Sequence, residues 1–499
     1  MSDSILGIDA GTSACKTVLL SLDGAALGSS TRTYPTTRGS DGSATQSPGD
    51  WVDAMVGTVR EVLSLSDSPK LIGISVTAPA HNVVLTHRDG REPSTVLLWS
   101  DRRPARHVQP LLDAHADYFD RTLVRLSSGW SLPQLRWIRH TEPDRWEACE
   151  WVLPAKDYLR FVLTGVAATD PSDAAGTGLF DPAVRDWWSE IVDAEDLSGR
   201  LPPILSSSDI GGHLLPDVAV ALGVPAGIPV AVGATDTAAE LVSIGARRSG
   251  TGLIKIASTG TVVAVTDRLA SDPRLLIYPH ADEGLWYVLA ATNSAATAHA
   301  WIARQLVGLG EFSELPLSEL VHLVEESAAS VPPGSGGAMF LPFLDGERTP
   351  YWDHELRAAF LGLTGYHGPG HLARAVMEGV AMSLRTGLGV IRDLGHDLTV
   401  PVLTGGGLES GLWRSILVAA LDLDATRMPR QGPAIGAAMI AGRLVGADIM
   451  PYVEALPVER PAPAWTQCYD DLFAIYTRAV EATAPLSHAL GRFGAPSGD

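Results

Sequence analysis

Short apolar runs that end in turns of small residues recur along the chain. The first is ILGIDAGTSACKTVLL (5–20), in which an apolar run stops at Asp9, turns through Gly11-Thr12-Ser13 and continues as a second apolar run. Runs of this length, bounded by glycine and hydroxyl residues, are typical of β-hairpins. Residues 71–76 form a further run rich in β-branched side chains. The pattern therefore predicts a β-sheet that begins at the N-terminus.

The same order of elements returns in the second half. LIKIASTGTVVAV (253–265) again joins two apolar runs through a small-residue turn, and PVLTGGGLESGLWRSILVAAL (401–421) predicts a strand, a glycine turn and a helix. GIPVAVGATDTAAELV (227–242) predicts a buried strand, a loop with Asp236 and a helix start. We expect two α/β domains, 1–240 and 241–482, with a C-terminal tail over 483–499 and a ligand cleft between the domains.

Composition and charge narrow the class of protein. The chain has 499 residues, is 45% hydrophobic and carries a formal net charge of −20. This excess of acids disfavours nucleic acid and anionic membrane surfaces as partners. Three widely spaced cysteines indicate neither a disulfide framework nor a zinc site. Because no signal-peptide pattern and no membrane-spanning apolar run is present in the sequence, we expect a cytoplasmic protein.

Three turns of glycine and hydroxyl residues carry the candidate chemistry. They are Gly11-Thr12-Ser13, Ser258-Thr259-Gly260-Thr261 and Gly405-Gly406-Gly407, and each follows a predicted strand. Such turns bring backbone N–H groups close to a ligand and can bind phosphate, although each one alone is also explained as a plain tight turn. The sequence contains no P-loop motif, no G-x-G-x-x-G motif in the required context and no H-E-x-x-H motif. Because all three turns follow a predicted strand in the same way, they favour a phosphate site built from these turns rather than from a P-loop.

Two acids and one histidine lie next to these elements. Asp9 is either a turn residue or a carboxylate that holds Mg²⁺ through water. Asp236 is either the N-cap of the helix that follows it or a general base that accepts a proton from an attacking hydroxyl. His81 ends the loop TAPAH (77–81), and a single histidine of this kind is more often structural than catalytic. The residues alone leave these alternatives open.

With its turns in this order, the chain resembles the FGGY family of carbohydrate kinases, within the actin/Hsp70/hexokinase superfamily, and is most similar to the xylulokinases in that family. The resemblance runs over most of the chain, from GIDAGTSACKTVLL to GPAIGAAMIAGRL. Its most specific stretches are LPAKDYLRFVLTG (153–165), DPSDAAGTGLFD (170–181), FLPFLDGERTPYWD (340–353) and ARAVMEGVAMSL (373–384).

The resemblance implies a fold and an activity. The family has two ribonuclease-H-like domains that close over a cleft, with the sugar bound mainly on the N-terminal domain and ATP mainly on the C-terminal one. The implied reaction transfers the γ-phosphoryl group of MgATP to a hydroxyl of a ketopentose, D-xylulose giving D-xylulose 5-phosphate. Dimers are common in the family, so a homodimer is also expected.

The resemblance also assigns residues by position. Asp236 matches the catalytic base, which contacts the sugar, and Asp9 matches the acid near Mg²⁺ and the sugar. The positions that match nucleotide contacts are Thr12, Ser13, Lys16, Gly260, Thr261, Gly405, Gly406 and Ser410.

One loop departs from the xylulokinase pattern. Where xylulokinases carry a Met-His pair that contacts the sugar, this chain has Ala78-Pro79, and His81 two positions on offers an imidazole from a reshaped loop. This departure keeps open a kinase of the same family for another ketose or polyol, such as ribulose, erythritol or an arabinitol. A non-catalytic ATP-binding module of the actin or Hsp70 kind is a third, weaker alternative.

Overall fold

The computed structural model describes residues 3–65, 70–91, 94–307, 315–429, 431–449 and 458–493. Within these residues the first half of the chain builds one mixed sheet with helices around it, and the second half builds another. The strands of the first half are β1 (Asp3–Ala10), β2 (Ala14–Ser21), β3 (Ala26–Thr33), β4 (Thr37–Arg38), β5 (Ala44–Gln46), β6 (Lys70–Thr77), β7 (Val83–Thr86), β8 (Val96–Leu97), β9 (Trp151–Pro154), β10 (Phe180–Asp181), β11 (Asp186–Trp187), β12 (Ile210–His213) and β13 (Pro229–Ala231). Its helices are α1 (Pro48–Ser64), α2 (Val108–Ala114), α3 (Tyr118–Thr122), α4 (Ser131–Thr141), α5 (Pro143–Ala148), α6 (Ala155–Thr164), α7 (Pro171–Thr177), α8 (Ser189–Ala194), α9 (Pro216–Leu222) and α10 (Asp236–Ser243).

The second half has fewer strands and longer helices. Its strands are β14 (Gly252–Ile256), β15 (Gly260–Thr266), β16 (Leu276–Pro279), β17 (Trp286–Thr292), β18 (Met339–Leu341), β19 (Ala359–Leu361), β20 (Val402–Thr404) and β21 (Thr426–Arg427). Its helices are α11 (Ala296–Val307), α12 (Leu317–Ala329), α13 (Pro369–Asp393), α14 (Gly411–Leu421), α15 (Pro433–Leu444) and α16 (Pro463–Gly491). Short 3₁₀ turns lie at Arg103–His107, Ser335–Gly337 and Gly406–Glu409.

The two main sheets share a core of five strands in the same arrangement, and each has one further strand, at opposite edges of that core. The first has the order β12-β13-β6-β1-β2-β3 and the second the order β16-β17-β15-β14-β20-β21. In each, the first strand pairs antiparallel with the second strand of a hairpin on one side and parallel with a later strand on the other. β1 is therefore equivalent to β14, β2 to β15 and β6 to β20. This duplicated arrangement is the ribonuclease-H-like fold, and the predicted fold class is confirmed.

The sheet interiors follow from the apolar runs in the sequence. Ile5, Leu6 and Ile8 of β1 are completely buried, as are Val262 and Val265 of β15. Strands buried on both faces have near-continuous apolar sequences, which is why these runs were readable as strands. The expected domain limits, residues 240 and 482, fall inside α10 and α16.

Helix α15, from the second half, packs directly on the sheet of the first half. A Cβ atom at Gly7 of β1 would overlap the backbone of α15 at Ala434 and Ala438. A Cβ at Gly436 would in turn overlap the backbone carbonyl of Ala239 in α10. These glycines bring three backbone segments into contact where the two domains meet, beside the ends of β1 and α10 that carry Asp9 and Asp236.

No helix in the described part of the chain combines the length and apolar character needed to cross a membrane.

Candidate active site

A cleft of about 250 Å³ lies between the two sheets and is lined by residues of both halves. Five of the residues assigned from the sequence line it: Thr12, Pro79, His81, Asp236 and Thr261. The lining also includes side chains that the sequence reading did not select, among them Trp99, Trp130, Glu240, Lys255, Tyr278, Tyr287 and Arg348. The site is therefore made by both domains together.

Asp9 stands at the end of β1, next to the cleft. In the sheet it lies opposite Lys16 of β2 and Thr77 of β6. Its Oδ1 atom is buried and has no hydrogen-bond partner. Burial, and then the nearby charge of Asp236, raise the pKa of Asp9 to about 8. A bound cation would stabilise the charged form of this buried carboxyl group, whose Oδ1 has no hydrogen-bond partner.

Hydrogen bonds to backbone groups of Gly11 and Thr12 hold the turn after Asp9 in place. The Gly11 N–H donates to the Ala14 carbonyl at 3.0 Å, and the Tyr34 hydroxyl donates to the Gly11 carbonyl. Gln46 Nε2 donates to the Thr12 carbonyl at 2.7 Å. The side chains of Ser13 and Lys16 are exposed and are not among the residues that line the cleft. Of the assigned residues in this hairpin, Thr12 is the one that lines the cleft.

Asp236 is the first residue of α10, whose N-cap is Thr235, so Asp236 does not itself occupy the N-cap position weighed from the sequence. The turn before it passes through Gly233 at φ 83°, where a Cβ would collide with the Val76 carbonyl. The N–H of Asp236 donates to the Ala78 carbonyl at 3.0 Å. Its Oδ1 accepts from the Thr237 N–H at 2.7 Å, which leaves Oδ2 for a ligand.

The charge state of Asp236 is set by opposing effects. Burial raises its pKa, while the ammonium of Lys255 and the Thr237 N–H bond lower it. The net direction is upward, toward neutral pH, which is the direction that improves a general base.

A buried polar cluster supports the loop that carries Asp236. Lys156 Nζ lies 2.7 Å from Asp157, 3.1 Å from Asp170 and 3.3 Å from Asp173, all fully or almost fully buried. The Ser172 hydroxyl donates to Asp170 at 2.7 Å and accepts from the N–H of Thr235 at 3.0 Å. The stretches 153–165 and 170–181 thus support the loop that carries Asp236.

The loop after β6 presents one imidazole to the cleft. Ala78 is buried and contributes its backbone carbonyl, whereas Pro79 and His81 line the cavity. His81 has φ 75°, and its Nδ1 lies 2.5 Å from the Gly176 carbonyl. Its ring stacks on Trp130 with centroids 4.0 Å apart.

Burial lowers the pKa of His81 to about 4, so the ring is neutral at pH 7. Because Nδ1 donates to a carbonyl, the proton is on Nδ1 and Nε2 carries the lone pair. His81 therefore offers an acceptor, fixed in direction by a stacked tryptophan.

Arg348 reaches the same end of the cleft from the C-terminal domain. Its guanidinium lies over Trp99, 5.8 Å from the ring centroid, and its Nε is buried without a hydrogen-bond partner. The preceding residue, Glu347, holds this loop by accepting from the Thr292 hydroxyl at 2.6 Å and from the Arg348 N–H at 2.8 Å. The motif GERTP therefore places one cation against an aromatic wall of the other domain.

The second hairpin, β14–β15, faces the first across the cleft. Thr259 and Thr261 line the cavity, and Lys255 lies opposite Thr261 in the strand pair. Gly260 is buried instead, and a Cβ there would press on Thr292 and Ala295. The absence of a side chain at Gly260 thus lets the turn pack closely against these neighbours.

The third turn lies away from the central cavity. Gly405 adopts φ 92° against the Ile256 carbonyl, and Gly406 begins a short 3₁₀ turn. Ser410 caps α14, since its hydroxyl accepts from the Trp413 N–H at 3.2 Å. Gly405, Gly406 and Ser410 do not line the central cleft. A helix N-terminus does follow the turn, as expected from the sequence.

Two family models cover most of the chain. The N-terminal domain of the FGGY family of carbohydrate kinases matches residues 4–243, and the C-terminal domain of the same family matches residues 253–445. The chain belongs to the FGGY family of carbohydrate kinases. As a member it is a sugar kinase that uses ATP, and the family predicted from the sequence is confirmed.

Curated and solved relatives agree with this assignment. The chain is 33% identical to a xylulose kinase from Klebsiella pneumoniae, over 96% of this chain and 99% of that protein. It is 34% identical to a xylulose kinase from Escherichia coli K12, over 87% of this chain and 89% of the relative. The crystal structure of a xylulose kinase from Rhodospirillum rubrum superposes with a TM-score of 0.89 at 26% identity, covering 97% of this chain and all of that one.

Proposed function

We propose that this FGGY kinase transfers the γ-phosphoryl group of ATP to a hydroxyl of D-xylulose, giving D-xylulose 5-phosphate. The observation that carries the proposal is the meeting of Asp236 and two threonine turns in one cleft between the domains, with Asp9 close enough to Asp236 and Lys255 for their charges to affect its pKa. The xylulose kinases among its relatives, aligned over almost the full length of the chain, support the choice of sugar.

Asp236 is the proposed general base. Its free Oδ2 would accept the proton of the attacking hydroxyl while Oδ1 remains bonded to the Thr237 N–H. Phosphoryl transfer has a loose transition state, so the base mainly orients the hydroxyl. The bond between Asp236 N–H and the Ala78 carbonyl, together with the buried Lys156 cluster, fixes that orientation.

The phosphate side is proposed to use both hairpins. Thr12 from the first and Thr259 and Thr261 from the second would donate hydrogen bonds to the phosphate oxygens. Ser13, Lys16, Gly260, Gly405, Gly406 and Ser410 remain proposed nucleotide contacts, the last three near the N-terminus of α14.

Asp9 is proposed to hold Mg²⁺. Its buried, unpartnered Oδ1 fits a hard cation that prefers oxygen ligands. Among the described residues no cluster of three or more acids, histidines or cysteines forms a metal cage. This suits Mg²⁺, which commonly binds one or two carboxylates plus substrate phosphates. Bound there, Mg²⁺ would neutralise charge on the phosphate oxygens.

The sugar is proposed to lie at the aromatic end of the cleft. The lone pair of His81 Nε2 would accept a hydrogen bond from a sugar hydroxyl, and the free Nε of Arg348 would donate one. Trp99 and Trp130 supply apolar faces, which suit the C–H face of a sugar. Ala78 would contribute only its backbone, and Pro79 would set the shape of the wall.

The loop of Ala78, Pro79 and His81 also favours a second candidate. Because it replaces the Met-His pair of xylulokinases, the substrate could be another ketose or polyol, such as ribulose, erythritol or an arabinitol. A coupled assay of ADP release with D-xylulose, D-ribulose, L-ribulose, erythritol and D-arabinitol separates the candidates. We expect the highest kcat/KM with D-xylulose. A higher value with any other compound would replace this sugar, and turnover unaffected by every compound would reject the kinase proposal.

The base is tested with Asp236→Asn. We expect kcat to fall by about 10²–10⁴-fold with the fold retained, since that is the usual contribution of a general base. Asp217→Asn is the matched control, because Asp217 also lies in the first turn of a helix but is exposed. Turnover by Asp236→Asn close to that of the control would reject the assignment.

A further inference from the structure

Lys255 occupies the position in the C-terminal domain that Asp9 occupies in the N-terminal domain. Asp9 lies near the end of β1, opposite a residue of its own hairpin and opposite Thr77 of the parallel neighbour β6. Lys255 lies near the end of the equivalent strand β14, opposite Thr261 of its hairpin and opposite Thr404 of the parallel neighbour β20. The duplicated fold thus places an acid of one domain and a cation of the other at equivalent strand positions, and of the two Lys255 lines the cleft.

The ammonium of Lys255 is held by an ion pair with Glu240 that occupies one of its three hydrogen-bond donors. Its Nζ donates to Glu240 Oε2 at 2.7 Å, and the Thr404 hydroxyl donates to Glu240 Oε1 at 3.1 Å. Within the described residues this is the one hydrogen bond of Nζ, so two of its three donors remain for a ligand. The side chain of Lys255 is 33% exposed, toward the cleft that it lines, while that of Glu240 is 6% exposed.

The ion pair with Glu240 holds Lys255 close to the proposed base, Asp236. Glu240 lies one helical turn after Asp236 in α10, so the ammonium is held beside the residue that would take the proton. The charge of Lys255 lowers the pKa of both Asp236 and Asp9, and for Asp9 it has a larger effect than Lys16 does. Burial would lower the pKa of Lys255 itself, but Glu240, Asp236 and Asp9 raise it, so the side chain stays charged.

Lys255 is also the cation on the phosphate side of the cleft. Of the two basic side chains in the described lining, Arg348 stands at the aromatic end over Trp99. Lys16, assigned to the phosphates from its position in the sequence, is exposed outside the lining. Lys255 instead adjoins Thr259 and Thr261, the proposed phosphate turn.

We propose that Lys255 is a catalytic residue whose ammonium, anchored on Glu240, binds the phosphoryl group during its transfer, beside Thr259 and Thr261. This inference rests on the proposed kinase reaction. In a loose transition state the charge on the transferring group is spread over its equatorial oxygens, and a fixed ammonium stabilises that charge without reorganising. The sugar oxygen forms a bond to the γ-phosphorus while the bond from that phosphorus to the bridging oxygen breaks, and ADP leaves with the bond's electron pair. The proton of the sugar hydroxyl passes to Asp236, and Lys255 keeps its own protons throughout.

The test compares single and double variants. Lys255→Met removes the charge but leaves Glu240 buried without its partner, which can weaken the fold. The double variant Lys255→Met/Glu240→Gln removes both charges and keeps an amide oxygen for the Thr404 hydroxyl. We expect the double variant to recover the Tm of the unaltered protein while kcat stays about 10²–10³-fold low, the usual cost of removing one transition-state donor. Recovery of kcat along with Tm would overturn the proposal, because Lys255 would then serve only to neutralise Glu240.

A binding measurement gives a second readout. Isothermal titration with ADP and with a non-hydrolysable ATP analogue, both with Mg²⁺, separates contact with the third phosphate from general nucleotide binding. We expect Lys255→Met to weaken the analogue about tenfold, the loss of about 1.4 kcal/mol, with ADP affinity nearly unchanged. Equal losses for both nucleotides would overturn a specific contact. Lys255→Arg should retain most of the preference for the analogue, and Lys70→Met, at an exposed surface pair, should change neither.

The two proposals fail separately. If no sugar stimulates ATP turnover by the unaltered protein, the proposed function fails, and the ratio of analogue to ADP affinity still decides whether Lys255 meets the third phosphate.

Discussion

Replacing Asp9 with asparagine should make the ligand-free protein more stable, and increasingly so as the pH rises. The carboxyl group has an ordinary pKa of 3.8, and burial, followed by the charge of Asp236, raises it to about 8 in the folded chain. Below pH 4 the group is protonated in both states and contributes nothing. Between pH 4 and 8 the unfolded chain releases its proton while the native chain keeps it, so each pH unit favours unfolding by about 1.36 kcal/mol.

Above pH 8 the group is ionised in both states and the full cost remains. A pKa difference of about 4 corresponds to about 6 kcal/mol in a rigid site, and entry of water into the cleft reduces it. Asparagine has nearly the same shape and no ionisation to suppress. At about 2 °C per kcal/mol for a domain of this size, the Tm of Asp9→Asn should exceed that of the unaltered protein by up to about 10 °C at pH 8.5, although catalysis is lost.

Differential scanning calorimetry in EDTA from pH 4 to 9 measures this gap. Asp23→Asn is the control, because Asp23 is an exposed turn residue whose pKa is lowered by the Ser21 hydroxyl, the opposite sign. Its replacement should give no gain in Tm at any pH. A Tm difference for Asp9→Asn that stays constant from pH 4 to 9 would refute the raised pKa of Asp9. It would also refute the inference that the charged carboxylate destabilises the fold when no cation is bound.

Three other substitutions test the packing and the sugar side. Gly436→Ala should lower Tm sharply, because its Cβ would overlap a backbone carbonyl of α10, whereas Gly389→Ala, with open space around it, should raise Tm slightly through helix propensity. Lys156→Met should cost about 3–5 kcal/mol in the free energy of unfolding by leaving buried carboxylates unpaired, and exposed Lys70→Met almost nothing, as denaturant titration would show. His81→Phe should keep the ring stack but raise the KM for sugar about tenfold, the cost of about one hydrogen bond, with the KM for ATP unchanged in the coupled assay.

Much of the fold was readable because its signals are local. The runs that became β1, β2, β14 and β15 are apolar on both faces and end in glycine or hydroxyl turns, so strand and turn were determined within about a dozen residues. The same local signals place Asp9 near the end of a strand and Asp236 at the start of a helix. The stretches that carry the family resemblance are local in sequence, but they do not reveal the buried Lys156 cluster behind the Asp236 loop, since Lys156 has partners as far along the chain as Asp173.

The lining of the cleft needed the tertiary structure. Nothing near Trp99, Trp130 or Tyr278 in sequence marks a ligand site, and each reaches the cavity from a different segment. Arg348 lies in a stretch that carries the family resemblance, but its place in the cleft is not evident from that stretch. The one available signal for Lys255 was its rarity, as one of four lysines in the chain. Its meaning appears only when Glu240 and Thr404, 164 residues apart, form one hydrogen-bonded group with it.

By itself, then, the sequence determined the duplicated α/β architecture, the family and the two acids at the ends of their elements. Those features depend on period, turn chemistry and motif, which are properties of neighbouring residues. Only the tertiary structure decided the raised pKa of Asp9, the neutral ring of His81 and the placement of Lys255 in the cleft. These depend on burial and on charges brought together from distant segments, and neither is set until the two sheets close on one cleft.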